Sequence, residues 1–253
     1  LFLKTIVIGV VCGIVAALFV EAIALMRGLF SRLRIRYSLW PPLMPLLGGI
    51  LLSMLIMVIP REYLGLSLPL MDRALHGAAM PYLGFFWKTL LVAITLGSGF
   101  YGGIVTPQFV IGAITGNALA HVLNISPTLG AAVGLVAVVA SASNTPVAAI
   151  LMGVELFGGV TGTSYVAGAA IAAYVIIGHR SVYPDQLVAY SKSSWIQRSI
   201  GLPLGQGKIR LSYGLRKWLS RFASRRGYRL RRNGHSQVSR QPPRPAGGDE
   251  TGK

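Results

Sequence analysis

Gly97-Ser98-Gly99-Phe100-Tyr101-Gly102-Gly103-Ile104-Val105-Thr106-Pro107-Gln108-Phe109-Val110-Ile111-Gly112-Ala113-Ile114-Thr115 is neither a good helix throughout nor a surface loop. Its glycines at 97, 99, 102 and 103 let the backbone bend and leave its amides uncovered. Pro107 suits the first turn of a helix, where its missing N–H is not needed. The stretch predicts an extended, glycine-rich peptide that opens into a helix beginning near Ile104. At membrane depth such a junction must line a cavity, because unpaired backbone facing lipid is too costly. A helix N-terminus with free N–H groups in a polar cavity is an anion site that needs no charged side chain. A tight turn between two packed helices would use the same residues, and the stretch alone leaves both open.

The surroundings are those of a membrane protein. Of 253 residues, 53% are hydrophobic and only 12% charged, and mean hydropathy is +0.60. A soluble chain with this apolar share would expose large sticky patches. Charge is uneven along the chain. Nine of the 24 basic residues lie up to residue 191, and the other fifteen lie in the last 62 residues. Two regions follow: a transmembrane body over 1–191 and a basic tail over 192–253. The chain opens Leu1-Phe2-Leu3-Lys4 without Met, so an N-terminal part is expected to be missing. Cys12, the one cysteine, sits in an apolar helix and is expected to be a small packing residue.

Thr5 to Met26 is an apolar run long enough to cross a hydrocarbon core, with small residues at Gly9, Gly13, Ala16 and Ala17 for close helix contact. Glu21 falls near the basic cluster Arg27, Arg32, Arg34 and Arg36 and is expected to pair with it at the interface. That cluster marks the cytoplasmic side. Further helices are expected over Pro45–Ile59, a short one carrying Asp72, Arg73 and His76, then Leu83–Leu96, Pro107–Val122, Thr128–Ala140, Val147–Phe157 and Ser164–Ile177. Glycine, serine, asparagine and proline break the chain between them. Several are too short to cross a membrane end to end, which indicates tilted, discontinuous helices packed in protein. Glu155 lies in one of them without a basic neighbour in sequence, and is expected to bond backbone or another helix. His76 is expected to be an exposed polar residue.

In the tail, Ile209, Leu211, Leu215, Trp218, Leu219 and Phe222 nearly share one helical face, ringed by Lys and Arg. A basic amphipathic helix over 206–226 on an anionic membrane surface is the expectation. Residues from about Arg229 onward are expected to be disordered. Nucleic acid is not expected as a partner, because no recognised motif or aromatic platform accompanies the charge.

Several of these motifs resemble the CLC family of chloride channels and chloride/proton antiporters. Gly103-Ile104-Val105-Thr106-Pro107 is similar to that family's G-x-F-x-P element, with Val105 where most members carry Phe. Ser141-Ala142-Ser143-Asn144-Thr145-Pro146, with Glu155 on the helix that follows, resembles its small-residue turn and adjoining helix. Ser181-Val182-Tyr183 resembles the segment carrying its pore tyrosine. The resemblance runs over roughly residues 1–195 and corresponds to the C-terminal half of a subunit.

The fold it implies is all-α and polytopic, one half of an inverted repeat. The anion-binding residues it implies are Gly103, Ile104, Val105 and Thr106, through the backbone at the helix start, and Tyr183 through its hydroxyl. Chloride or a similar small anion would be the substrate, with protons as a second substrate in antiporter members, and no cofactor or metal. The resemblance also implies a homodimer, its contact formed by helices near 147–157 and 164–177. The expected location is the cell membrane, with the tail cytoplasmic and touching anionic lipid. Two other functions use the same composition. An unrelated secondary transporter would share the broken helices. A membrane-embedded enzyme would need a ligand set or triad, but His76, His121, His179 and His235 are scattered.

Overall fold

The computed structural model describes residues 1–157 and 162–186, and the backbone of two strands, Ile196–Arg198 and Ile209–Leu211. The chain divides into two compact units, Leu1–Arg210 and Leu211–Lys253, and every described helix lies in the first. The helices are α1 (Phe2–Arg36), α2 (Leu43–Ile56), α3 (Leu68–Leu75), α4 (Gly84–Gly97), α5 (Val105–Val122), α6 (Pro127–Ala142), α7 (Pro146–Leu156) and α8 (Thr163–Ile177). A single 3-10 turn, Arg61–Tyr63, lies between α2 and α3.

The breaks fall where the sequence places them. Asn124 and Asn144 take left-handed backbone angles just past α5 and α6, and Pro127 and Pro146 open the next helices. Ser126 accepts from the Leu129 N–H and caps α6. Helix α2 ends three residues before the expected Ile59. There Met57 and Val58 donate to Met54 and Leu55 in tight i to i−3 bonds that finish the helix early.

Helix α1 runs ten residues beyond the expected apolar run, to Arg36. Its last turns are built of Leu and Arg, good helix formers, and Arg34 and Arg36 complement the negative end of its dipole. It is the one described helix long and apolar enough to cross a membrane. Helices α2, α4, α7 and α8 have 14, 14, 11 and 15 residues, and even the longest falls short of a hydrocarbon core of about 30 Å.

Packing relies on small residues. A Cβ added at Gly9 of α1 would lie 2.6 Å from the Cα of Ala169 in α8, and one at Gly13 would lie 2.9 Å from the Cα of Ala173. The α5–α6 contact is tighter still, with Gly112 and Gly116 set against the backbone of Gly130 and Gly134. Backbones approach this closely only where no side chain intervenes. Cys12 is fully buried in the α1 face of the same core. Asn117 of α5 holds the α3 region down. Its Nδ2 donates to Ala74 O at 2.8 Å, and its Oδ1 accepts from the Met80 N–H at 3.2 Å.

Lys4 Nζ donates to Leu123 O at the C-terminal cap of α5. About six turns further along α1, Gly97 packs on the backbone of Met26 and Arg27, so the glycine-rich junction lies about 35 Å along α1 from Lys4.

One tail expectation is corrected. Ile209–Leu211 forms a strand that pairs with Ile196–Arg198 in a two-stranded sheet, not the first turn of an amphipathic helix. The β-branched Ile209 suits a strand. The rest of the proposed helix over 206–226, and the segment from Arg229, lie outside the described residues.

Candidate functional site

The glycine-rich junction ends α4 at Gly97, with Ser98 buried beneath Gly48 of α2. Gly99 then turns with φ +104, a conformation only glycine adopts without strain. The peptide continues through Gly102 and Gly103 to Ile104, which precedes the first helical residue of α5. No side chain caps α5. Among the described residues, no backbone acceptor takes the N–H of Gly103, Ile104, Val105 or Thr106. These are the donors that a helix start leaves free, and they carry the positive end of the α5 dipole.

Three elements converge on this end. The C-terminus of α6 arrives with Ser143, whose hydroxyl donates to Gln108 Oε1 in the first turn of α5 at 3.0 Å. Gln108 is fully buried, and its Nε2 has no acceptor among the described residues. The loop after α8 then crosses the same α6 end. Val182 donates its backbone N–H to Ala142 O at 2.9 Å. Tyr183 follows, its own N–H donating to Ser181 Oγ at 3.2 Å. On the other side, Arg180 Nε donates to Glu21 Oε1 of α1 at 2.6 Å. Glu21 is thus an interfacial partner, but its cation is Arg180 and not the neighbouring basic cluster. On α1 those arginines are fixed by the helix, whereas the loop can bring Arg180 to it.

The outcome is a cleft of about 450 Å³ whose lining includes both Ile104 and Tyr183. Of the five residues expected at an anion site, the structure brings these two together. Gly103 faces a second cavity, of about 360 Å³, that includes Tyr63, Lys88 and Pro107. Val105 is 39% exposed and Thr106 half-buried, and neither lines the Ile104–Tyr183 cleft. Gly102 and Leu96 line both spaces.

Lys88 is the polar residue that the sequence reading missed. It is 1% exposed in the middle of α4, yet Nζ donates to Gly65 O at 2.6 Å, Ser67 Oγ at 2.8 Å and Tyr63 O at 3.1 Å. All three ammonium donors are satisfied without a carboxylate. Gly65 and Ser67 take positive φ to present those oxygens. A lysine inside an apolar helix, with Gly and Ser in a preceding loop, was the available signal. Burial and then the Glu62 carboxylate push the Tyr63 phenol above its usual pKa, with Arg73 opposing them.

Other expectations turn out differently. Glu155 is exposed on α7 and forms no hydrogen bond or ion pair among the described residues, so it is not bonded to a neighbouring helix. Short α7 buries only Ala149 and Gly153, which leaves the Glu155 side of the helix unpacked. His76 is exposed, beside Asp72 at 3.3 Å. Among the described residues no three His, Cys, Asp or Glu side chains gather closely enough to share a metal ion.

Similarity to known proteins agrees with this architecture. Residues 1–178 match the family described as Voltage gated chloride channel. A "Chloride/fluoride channel protein" of Pseudomonas syringae pv. tomato is 38% identical over 193 residues, covering 73% of this chain and 41% of that protein. An uncharacterized protein of Methanocaldococcus jannaschii is 27% identical over 153 residues, covering 58% of this chain and 37% of the relative. Among solved structures, a CLC-type fluoride/proton antiporter superposes with a TM-score of 0.66 at 31% identity, over 72% of this chain and 45% of that one. The chain thus spans less than half the length of the relatives it matches. A family match over most of the helical body, and the same fold at 31% identity, leave one assignment: the chain belongs to the CLC family of voltage gated chloride channels and related antiporters, and is an integral membrane protein of multi-pass CLC-type fold.

Proposed function

We propose that this chain forms one half of a membrane pathway for a small halide, chloride or fluoride. The observation that carries it is the cleft lined both by Ile104, at the uncapped start of α5, and by Tyr183. The free N–H of Ile104 supplies an oriented neutral dipole in this cleft, backed by the positive end of the α5 dipole, and the Tyr183 hydroxyl supplies one more donor. Dipoles hold an anion firmly enough to strip part of its water and loosely enough to release it. A buried cation in direct contact would clamp it. The printed names of two relatives, a chloride/fluoride channel protein and a fluoride/proton antiporter, support a halide and make proton exchange the coupled form of the same transport. No cofactor takes part, and the chain is a transporter and not an enzyme.

The remaining ligands come from a companion half of the kind that completes the solved relative, whose length this chain covers by 45%. Exposed Phe100 and Tyr101 beside the cleft suit that contact. The outward faces of α7 and α8, with Val147, Leu151, Ile171 and Val175 exposed, suit a second copy in a homodimer. The Arg cluster of α1 and the basic tail lie on the cytoplasmic side of the cell membrane, next to anionic lipid.

Chloride and fluoride uptake into liposomes tests this. The chain alone should give no flux above protein-free liposomes, whereas the complete transporter should carry at least one of the two. Selective flux from the chain alone would show that it needs no companion half. Absence of halide flux from the complete transporter would overturn the function.

A further inference from the structure

Of the four exposed arginines near the end of α1, one lines the cleft and three do not. Arg32, Arg34 and Arg36 belong to the exposed last turns, while Arg27 lines the cleft that holds Ile104 and Tyr183. Gly97 packs against the Arg27 backbone and so fixes the level of Arg27 at the glycine-rich junction. Asp185, two residues beyond Tyr183, lines the same cleft. Arg27 and Asp185 do not pair with each other or with any other described side chain, unlike Glu21 and Arg180 beside them. Among the described residues the cleft lining thus presents one unpaired cation and one unpaired anion, both exposed.

A cation at the mouth of a cleft with low-dielectric walls focuses its field along the opening and raises the local concentration of anions. An acid at the same mouth does the reverse. We infer that Arg27 is the residue that draws the halide into the Ile104–Tyr183 cleft, with Asp185 as its opposing brake. The guanidinium does not replace the dipoles inside. It acts on arrival, and the balance of the two charges sets how often an anion reaches them. This rests on the halide-pathway function proposed above.

Initial rates of chloride and fluoride uptake by the complete transporter, at sub-saturating anion, test it at ionic strengths of about 0.01 and 0.15 M, where the Debye length falls from roughly 30 to 8 Å. Arg27→Gln should slow entry about tenfold at the lower strength, the small end of the range for field focusing by a charged cleft. Asp185→Asn should speed it. Both differences should shrink towards unity at the higher strength, and Arg27→Lys should retain the unmodified rate. Opposite signs and salt screening are not produced by a packing defect. If Arg27→Gln matches the unmodified protein at low salt, or both variants slow uptake independently of salt, Arg27 does not steer. Tyr183→Phe, measured in parallel by chloride and fluoride titration, separates the two levels. Weaker binding in Tyr183→Phe with no effect of Arg27→Gln overturns only the steering role. No effect of either variant overturns the cleft as the pathway.

Discussion

Val182 donates its backbone N–H to the carbonyl of Ala142 at 2.9 Å. This one bond ties the loop after α8 to the last residue of α6 and so sets where Tyr183 stands relative to the start of α5. The Arg180–Glu21 pair fixes the same loop to α1 from the other side. Tyr183 itself is held through its backbone, whose N–H donates to Ser181 Oγ at 3.2 Å and whose carbonyl accepts from the Gln186 N–H at 3.2 Å, and its hydroxyl has no partner among the described residues.

Removing that hydroxyl should cost one donor to a charged ligand, worth about 1.5–3 kcal/mol. Since about 1.4 kcal/mol is tenfold in affinity, Tyr183→Phe in the complete transporter should weaken halide binding by roughly ten- to a hundredfold at most. Calorimetric titration reads this directly. Tyr190, the next tyrosine along the chain and outside the motif that resembles the pore segment, gives the comparison: a larger loss in Tyr190→Phe than in Tyr183→Phe means the wrong tyrosine has been assigned.

Ser143→Ala removes the donor to Gln108 in the first turn of α5. With Gln108 fully buried, its oxygen is left without a partner, at about 1–3 kcal/mol. Thermal unfolding in detergent should show the loss, with a smaller drop in halide affinity than Tyr183→Phe causes. An unchanged midpoint would mean that this bond does not hold the helix start.

Lys88→Met leaves Tyr63 O, Gly65 O and Ser67 Oγ facing an apolar side chain. Each acceptor left unpaired in a buried site costs about 1–3 kcal/mol, so a clear fall in the unfolding midpoint is expected. Lys88→Arg should recover part of it, since the charge is kept but the planar guanidinium cannot reproduce three converging bonds. Equal stability of all three proteins would show that the oxygens find other donors.

Two glycine substitutions should have opposite signs. Gly116→Ala places a methyl against the Gly130 carbonyl and the Gly134 backbone, which must move apart, at about 1–3 kcal/mol. Gly28→Ala meets nothing within 4 Å and should stabilise α1 by up to about 1 kcal/mol. Unfolding in detergent separates them, and destabilisation by both would mean that backbone proximity is not the deciding factor.

Much of the architecture is local chemistry and therefore legible in the chain. Helix breaks at Asn124-Ile125-Ser126-Pro127 and Asn144-Thr145-Pro146 follow from residues that accept left-handed angles, cap a helix or cannot continue one. The uncapped start of α5 was readable because glycine and proline act within a few residues of themselves. The motifs around Ile104, Pro146 and Tyr183 carried the family in the same way, by order and spacing. Other features were settled only by the tertiary structure. Glu21 had four arginines near it in sequence, yet it pairs with Arg180, because an ion pair depends on which groups the fold brings within reach. Lys88 looked like any basic residue until the loop at Tyr63–Ser67 wrapped it in oxygens. Glu155 looked like a buried acid because its helix is apolar, but α7 is a short helix with one side unpacked. Ile104 and Tyr183 share a cleft because the end of α6 bonds both the first turn of α5, through Ser143 and Gln108, and the loop after α8, through Ala142 and Val182. That meeting is set by long-range packing of small residues, which no local pattern encodes.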